Sequence, residues 1–136
     1  MEKMDNKNNF YKKSQIFNKP SSLLRGFFNM KLNEELKGKK AIDFGCGVGN
    51  DTKFLIENDF FVTCIDKNSE SKELVCEKLK SSNEYEFINE EFKDVELPKV
   101  NLFYSCFSLQ FINPIDLDNV MKKINDSITP KGFFVR

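Results

Sequence analysis

The stretch Lys40-Ala41-Ile42-Asp43-Phe44-Gly45-Cys46-Gly47-Val48-Gly49-Asn50 constrains this chain more than any other. It opens as a short apolar run and closes on three glycines spaced two apart. Phe54-Leu55-Ile56, in a polar setting just beyond, reads as the first turns of a helix. A strand that runs through glycines into a helix must turn tightly, and a ligand can approach its backbone where a Cβ would collide. The amides at the helix start then favour polar or anionic ligand groups. A dinucleotide-binding turn has the spacing G-x-G-x-x-G/A. Here the third glycine comes one residue early, Asn50 takes its place, and an acid, Asp43, precedes Gly45 by two.

The chain has 136 residues, enough for one domain with its own core. With 40% apolar residues and 15 Phe it is a globular composition. Lys and Arg balance Asp and Glu at 21 each, so net charge provides no electrostatic footprint for nucleic acid or an anionic membrane. The chain lacks histidine, which removes the usual general base, metal ligand and pH switch. The cysteines, Cys46, Cys64, Cys76 and Cys106, contain no C-x-x-C pair, so a zinc site has no support. Cys64 and Cys106 fall in apolar strand-like runs and read as small buried hydrophobes. The polar N-terminus has no signal-peptide core and no apolar run approaches a membrane span, so a cytoplasmic protein is expected. Abundant Lys, Asn, Ile and Phe suggest an AT-rich bacterial genome.

Residues 1–19 are polar, broken by Phe10-Tyr11 and Ile16-Phe17, and form a candidate lid over a domain spanning 20–136. Ser21 or Ser22 caps a helix whose apolar face is Leu23, Leu24, Phe27, Phe28, Met30 and Leu32; it continues toward Leu36 and ends at Gly38. Strands are expected over 40–44, 60–65, 85–89 (at an edge), 100–106 and from 133. Helices are expected over 51–58 and 69–80. Leu117, Val120, Met121, Ile124 and Ile128 form the inward stripe of another, with Asn113 as cap and Pro114 in its first turn. Thr129-Pro130-Lys131-Gly132 reads as a turn. Asp66 stands at the tip of the second strand, where a carboxylate can accept hydrogen bonds from both ribose hydroxyls or cap the next helix. Lys67 is placed along a nucleoside bound there.

The pattern Ile42-Asp43-Phe44-Gly45-Cys46-Gly47-Val48-Gly49 resembles motif I of the class I S-adenosylmethionine-dependent methyltransferases, where the Cys46 position is often cysteine. Asn101 to Phe111 is similar to that family's D-h-h-h-s-s-h-s-L-x-F, with Asn101 for Asp. Thr129 to Phe134 is similar to its L-K-P-G-G-x-h-h turn. Lys19-Pro20-Ser21-Ser22-Leu23-Leu24 and the spacing after it look most like the small tellurite-resistance-type branch. The resemblance implies an α/β Rossmann-like fold: a three-layer αβα sandwich with a mostly parallel sheet ordered 3-2-1-4-5. The family order is 3-2-1-4-5-7-6, so the chain reads as C-terminally incomplete. Phe133-Phe134-Val135 would then be an open edge for a second copy or a partner chain.

The resemblance also implies S-adenosylmethionine as cofactor and S-adenosylhomocysteine as product. The cofactor-binding residues it points to are Asp43, Gly45, Cys46, Gly47, Gly49, Asp66, Lys67, Glu91, Phe92, Ser105 and Phe107. Glu91 would take the adenine exocyclic amine and the Phe92 N–H a ring nitrogen, with Glu90-Glu91 as the other register. The tip at Ser105 and Phe107 would touch the methionine moiety and face the substrate. An aromatic ring at Phe10 or Tyr11 could lie near the sulfonium. The chain lacks the Asn-Pro-Pro-Tyr or Asp-Pro-Pro-Tyr signature of base amino-methylation after its fourth strand, and without a histidine base a soft nucleophile, hence a small-molecule acceptor over a protein or nucleic acid, is expected. Candidate general bases are Tyr11, Tyr104 and Glu91; a thiol, selenol or telluride needs none. The competing readings are a non-catalytic binding or interaction protein and a nicotinamide- or flavin-dependent oxidoreductase.

Overall fold

Five short apolar runs pair into one parallel sheet. In the computed structural model, which describes residues 19–136, they are β1 (Lys40–Phe44), β2 (Phe61–Ile65), β3 (Tyr85–Ile88), β4 (Val100–Tyr104) and β5 (Ile128–Val135). Their order is β3-β2-β1-β4-β5, as expected, and every neighbouring pair is parallel. The sheet reverses direction of growth between β1 and β4, and in open α/β sheets the crevice beyond the strand tips at such a reversal holds ligands. The lid reading of residues 1–19 and the placement of Phe10 and Tyr11 near a sulfonium fall on residues outside those described, apart from Lys19.

Helices α1 (Ser22–Asn29), α2 (Asn50–Glu57) and α3 (Ser69–Lys78) cover one face. Leu24, Phe27, Leu55 and Val75 pack there on Ala41, Val62, Leu102 and Tyr104. Helix α4 (Pro114–Ser127) covers the other, with Val120 and Ile124 against Ile42, Phe44, Ile65 and Phe103. β1 and β2 are therefore buried from both sides, which is why they read as nearly continuous apolar runs, with Asp43 and Thr63 as buried polar residues within them. Each such fully buried Leu, Ile or Phe contributes about 1.5–3 kcal/mol. Asn113 caps α4 by accepting from the Ile115 N–H at 3.1 Å, and Ser21 caps α1 through the Leu24 N–H at 3.2 Å.

Two elements depart from the sequence reading, and in the stripe expected for α4 Leu117 is exposed while Ile128 lies in β5, because the helix ends at Ser127. The helix expected to run toward Gly38 stops at Asn29; Lys31 takes a left-handed conformation (φ +59°) and a short 3-10 turn covers Leu32–Glu35. Left-handed backbone ends helices. Gly38 is needed for space instead, because a Cβ there would lie 2.8 Å from Asn101 Oδ1. The turn expected over 129–132 lies inside β5 as a break in register: Val100 faces Ile128, but Leu102 already faces Phe133. Asn101 holds that junction, accepting from the Lys40 N–H at 3.0 Å and donating to Thr129 Oγ1 at 3.3 Å. An amide can do both, whereas an ionised aspartate could only accept.

Candidate functional site

The chain leaves β1 through Gly45, Gly47 and Gly49, whose φ values are +83°, +55° and +85°. The N–H groups of Gly45 and Cys46 both donate to the Ile65 carbonyl, at 2.7 and 3.2 Å, which staples the turn to the end of β2. The Gly49 N–H closes on the Cys46 carbonyl at 2.9 Å, and the Gly49 carbonyl accepts from Lys53 to begin α2. From the opening turns of α3, the Ser71 hydroxyl donates to the Gly47 carbonyl. Gly45 is needed for space as well as for angle: a Cβ there would lie 2.0 Å from Ser108 Oγ and 3.4 Å from the Phe92 ring.

Asp66 is half-buried at the tip of β2. Its Oδ2 accepts from the Gly47 N–H at 3.0 Å and its Oδ1 from the Asn68 N–H at 2.9 Å. The capping role goes to Asn68, whose side chain accepts from the Glu70 N–H at 2.9 Å. A carboxylate offers about four acceptor positions, so two remain on Asp66 for other donors. Lys67, next in the chain, is exposed.

Asp43, Cys46 and Ser105 lie beneath the turn, all buried. Ser105 Oγ donates to the Phe44 carbonyl at 3.2 Å and its N–H to the Val135 carbonyl at 2.9 Å, tying β1, β4 and β5 together. Burial pushes the Cys46 thiol well up, which suits a packing residue and not a nucleophile. Asp43 accepts from Thr52 Oγ1 at 2.7 Å. Burial, and then the charge of Asp51, push its carboxyl up to about 8, with Thr52 opposing.

That shift has a signed consequence. A carboxyl raised from 3.8 to about 8 keeps its proton in the fold where the unfolded chain has lost it. The folded state then binds more protons through that window, so stability falls as pH rises across it. Asp43→Asn, which keeps an acceptor for Thr52, is expected to flatten the decline in thermal melts taken between about pH 5 and pH 8. Equal slopes in variant and wild type would show that Asp43 ionises freely in the fold.

Glu91 is exposed, with Lys93 at 3.9 Å, and its carbonyl accepts from the N–H groups of Asp94 and Val95 at 3.0 and 3.2 Å. Phe92 turns inward and stacks on Phe44, ring centroids 3.7 Å apart at 24°. The structure thus brings Gly45, Phe92 and Ser108 together, and sets Asp66 against Gly47. Phe107 stays out of this cluster; its side chain is 78% exposed on left-handed backbone.

Sequence reasoning missed a polar chain at the start of α2, beside the glycine turn. Tyr104 Oη donates to Asp51 Oδ2 at 2.7 Å, the Ser21 N–H donates to Asp51 Oδ1 at 2.6 Å, and the Ser21 and Tyr104 hydroxyls are bonded to each other. It links the segment entering α1 to the first turn of α2 and the end of β4. Burial and the Asp51 charge push the Tyr104 phenol far up, so as a bound donor it is unsuited to act as a general base. Burial also raises Asp51, against the bonds from Ser21 and Tyr104. No local pattern marks such a contact, because its members are separated by 30 and 53 residues. Ser108 was legible only as a small residue in the run after β4.

Among the described residues, no helix is long and apolar enough to cross a membrane, and no group of three or more His, Cys, Asp or Glu could hold a metal ion. A family model described as a methyltransferase domain matches residues 41–132. The chain belongs to the class I S-adenosylmethionine-dependent methyltransferases. This methyltransferase domain is 32% identical over 110 residues to a carboxy-S-adenosyl-L-methionine synthase of Helicobacter pylori, covering 78% of this chain and 46% of that protein. It is 40% identical over 65 residues to ribosomal RNA small subunit methyltransferase A of Mesomycoplasma hyopneumoniae, covering 48% and 25%. A crystal structure of an S-adenosylmethionine-dependent methyltransferase from Clostridium acetobutylicum superposes with a TM-score of 0.74 at 20% identity, covering 96% of this chain and 55% of that one. The methyltransferase domain thus spans about half the length of the first relatives it matches.

Proposed function

We propose that the chain binds S-adenosylmethionine at the glycine turn and transfers its methyl group to a small-molecule acceptor. The observation that carries this is the Asp66–Gly47 bond, which aims a carboxylate with two spare acceptor positions across a turn that has no room for a Cβ at Gly45. That donor and acceptor set fits an adenosyl ligand. Asp66 accepts from the ribose hydroxyls, and Lys67 lies along the nucleoside. Glu91 and the Phe92 N–H meet the adenine edge, and the end of β4 borders the methionine end, with Ser105 buried behind it as a brace. Asp43, Cys46, Gly45, Gly47 and Gly49 hold the turn in shape.

Bound there, the cofactor supplies a methyl group already activated on a sulfonium. The chain's own contribution is proximity and orientation. The rigid turn, fixed by Ile65 and Ser71, holds the nucleoside in place, and the β4 tip sets the approach of the acceptor. Without histidine and with Tyr104 protonated, the site suits acceptors that need no strong base. A thiolate is one.

Calorimetric titration with S-adenosylhomocysteine is expected to show one site per chain in the micromolar range. A folded chain that gives no heat would overturn the reading. The second reading, a non-catalytic module that pairs through β5, is favoured by one observation: among the described residues β5 bonds only to β4. It predicts a dimer or a partner complex in light scattering, and a monomer that transfers methyl groups would exclude it.

A further inference from the structure

We propose that a cavity beside the break in β5 binds a phosphate dianion, free or carried on a small organic molecule. The site is separate from the glycine turn. Lys37 stands just before β1, Asn101 at the start of β4 and Thr129 at the start of β5, so the cavity lies at the pole where the strands begin. The glycine turn lies at the pole where β1 ends.

The cavity comes from the break in register. Residues 129–132 have only Asn101 opposite them, between the Val100–Ile128 and Leu102–Phe133 pairs. Such bulges re-aim side chains and recur beside functional sites. Lys131 takes left-handed backbone at φ +67°, which a residue with a Cβ adopts only at a cost. Gly132 closes the bulge tightly: a Cβ there would lie 2.8 Å from the Asn101 carbonyl oxygen and 2.9 Å from that of Thr129. The space left beside this folded segment is about 230 Å³. Sites for drug-sized ligands run to about 300–1,000 Å³, so this one suits a phosphate with at most a small organic group.

The side chains around it are donors. Lys37 and Lys131 both line the cavity, and among the described residues neither has an ion-pair partner. Lys39 and Lys99, their neighbours along the chain and at this pole, are engaged with Asn58 and Asp59 and with the Asp126 carbonyl. Asn101 Oδ1 is taken by the Lys40 N–H at 3.0 Å. The Thr129 hydroxyl accepts from Asn101 Nδ2 at 3.3 Å, which leaves its own proton to donate. No Asp or Glu lines the cavity; Glu34 and Glu35 precede Leu36 without reaching it. Two ammonium groups with a hydroxyl and an amide donor match the charge and the acceptor oxygens of a phosphate dianion. Leu36 and Pro130 supply an apolar wall for an organic group.

The test titrates the full chain with phenyl phosphate and, in parallel, with sodium phosphate and phenyl sulfate, and follows backbone amide resonances. Saturating shifts centred on Asn101 and residues 129–132 are expected with phenyl phosphate. Lys37→Gln and Lys131→Asn, the latter because asparagine tolerates left-handed backbone, are each expected to weaken it at least fivefold. Both variants should keep the wild-type melting temperature and bind S-adenosylhomocysteine within twofold of wild type. Phenyl sulfate, alike in shape but singly charged, should bind at least threefold more weakly. Phenyl phosphate binding more tightly than sodium phosphate assigns the group to an ester, and equal or weaker binding assigns it to free phosphate; both uphold the site. The proposal is overturned if no saturating shift is seen, if both variants bind as wild type does, or if phenyl sulfate binds as well as phenyl phosphate. It is also overturned if S-adenosylhomocysteine displaces phenyl phosphate, because the anion then sits at the glycine turn. Failure of S-adenosylhomocysteine to bind would sink the cofactor reading and leave this one standing.

Discussion

Asp66→Ala is expected to weaken S-adenosylhomocysteine binding about a hundredfold, which is roughly 2.7 kcal/mol. Two effects add. The ribose hydroxyls lose a charged acceptor, and a hydrogen bond to a charged group is worth about 1.5–3 kcal/mol. The Gly47 and Asn68 N–H groups lose the partner that sets the turn against the tip of β2, so the cradle is less well formed before ligand arrives. Asp66→Asn separates these terms. It can keep one acceptor for Gly47 but cannot serve two hydroxyls, and its affinity should fall between alanine and wild type. Calorimetry reads both variants. Binding within threefold of wild type for the alanine variant would reduce Asp66 to a local brace for the turn and Asn68.

Gly45→Ala is expected to cost about 3 kcal/mol of stability. Left-handed backbone costs an L-residue about 1–2 kcal/mol, and overpacking adds about 1–3 kcal/mol. The methyl would meet Ser108 Oγ at 2.0 Å and Ser108 Cβ at 2.6 Å, too close for a rotamer change alone to relieve. For a domain of this size the melting temperature should fall by about 10 °C. Gly26→Ala supplies the contrast. Gly26 lies within α1 with nothing within 4 Å of the added methyl, so that variant should gain up to about 1 kcal/mol. Adding Ser108→Gly to Gly45→Ala should recover part of the loss. If Gly45→Ala melts with wild type, the turn relaxes freely and steric demand does not explain its glycine.

The strands and the turn were legible because their causes are local. β1 spans the residues that its nearly continuous apolar run marks out, and Asn113-Pro114 starts α4 for reasons of hydrogen bonding and fixed φ that act within three residues. Asp66 was legible because strand ends and glycine turns leave signs in sequence. What went astray was set by neighbours remote in the chain. Gly38 looked like a helix stop, and it is glycine because Asn101 crowds it. The 129–132 turn was legible, but its place inside β5 depends on pairing with β4.

The site divides in the same way. By itself the sequence determined the glycine spacing, the acid at the tip of β2 and the absence of a histidine base, because each is a matter of residue type and short-range geometry. Only the tertiary structure decided which of these residues face outward. It buried Asp43 and Cys46 beneath the turn, spent the Tyr104 phenol on Asp51, and turned Phe107 out to solvent. The physical reason is that burial, hydrogen-bond partners and exposure are set by segments dozens of residues apart meeting across the sheet, and no window along the chain contains both sides of such a contact.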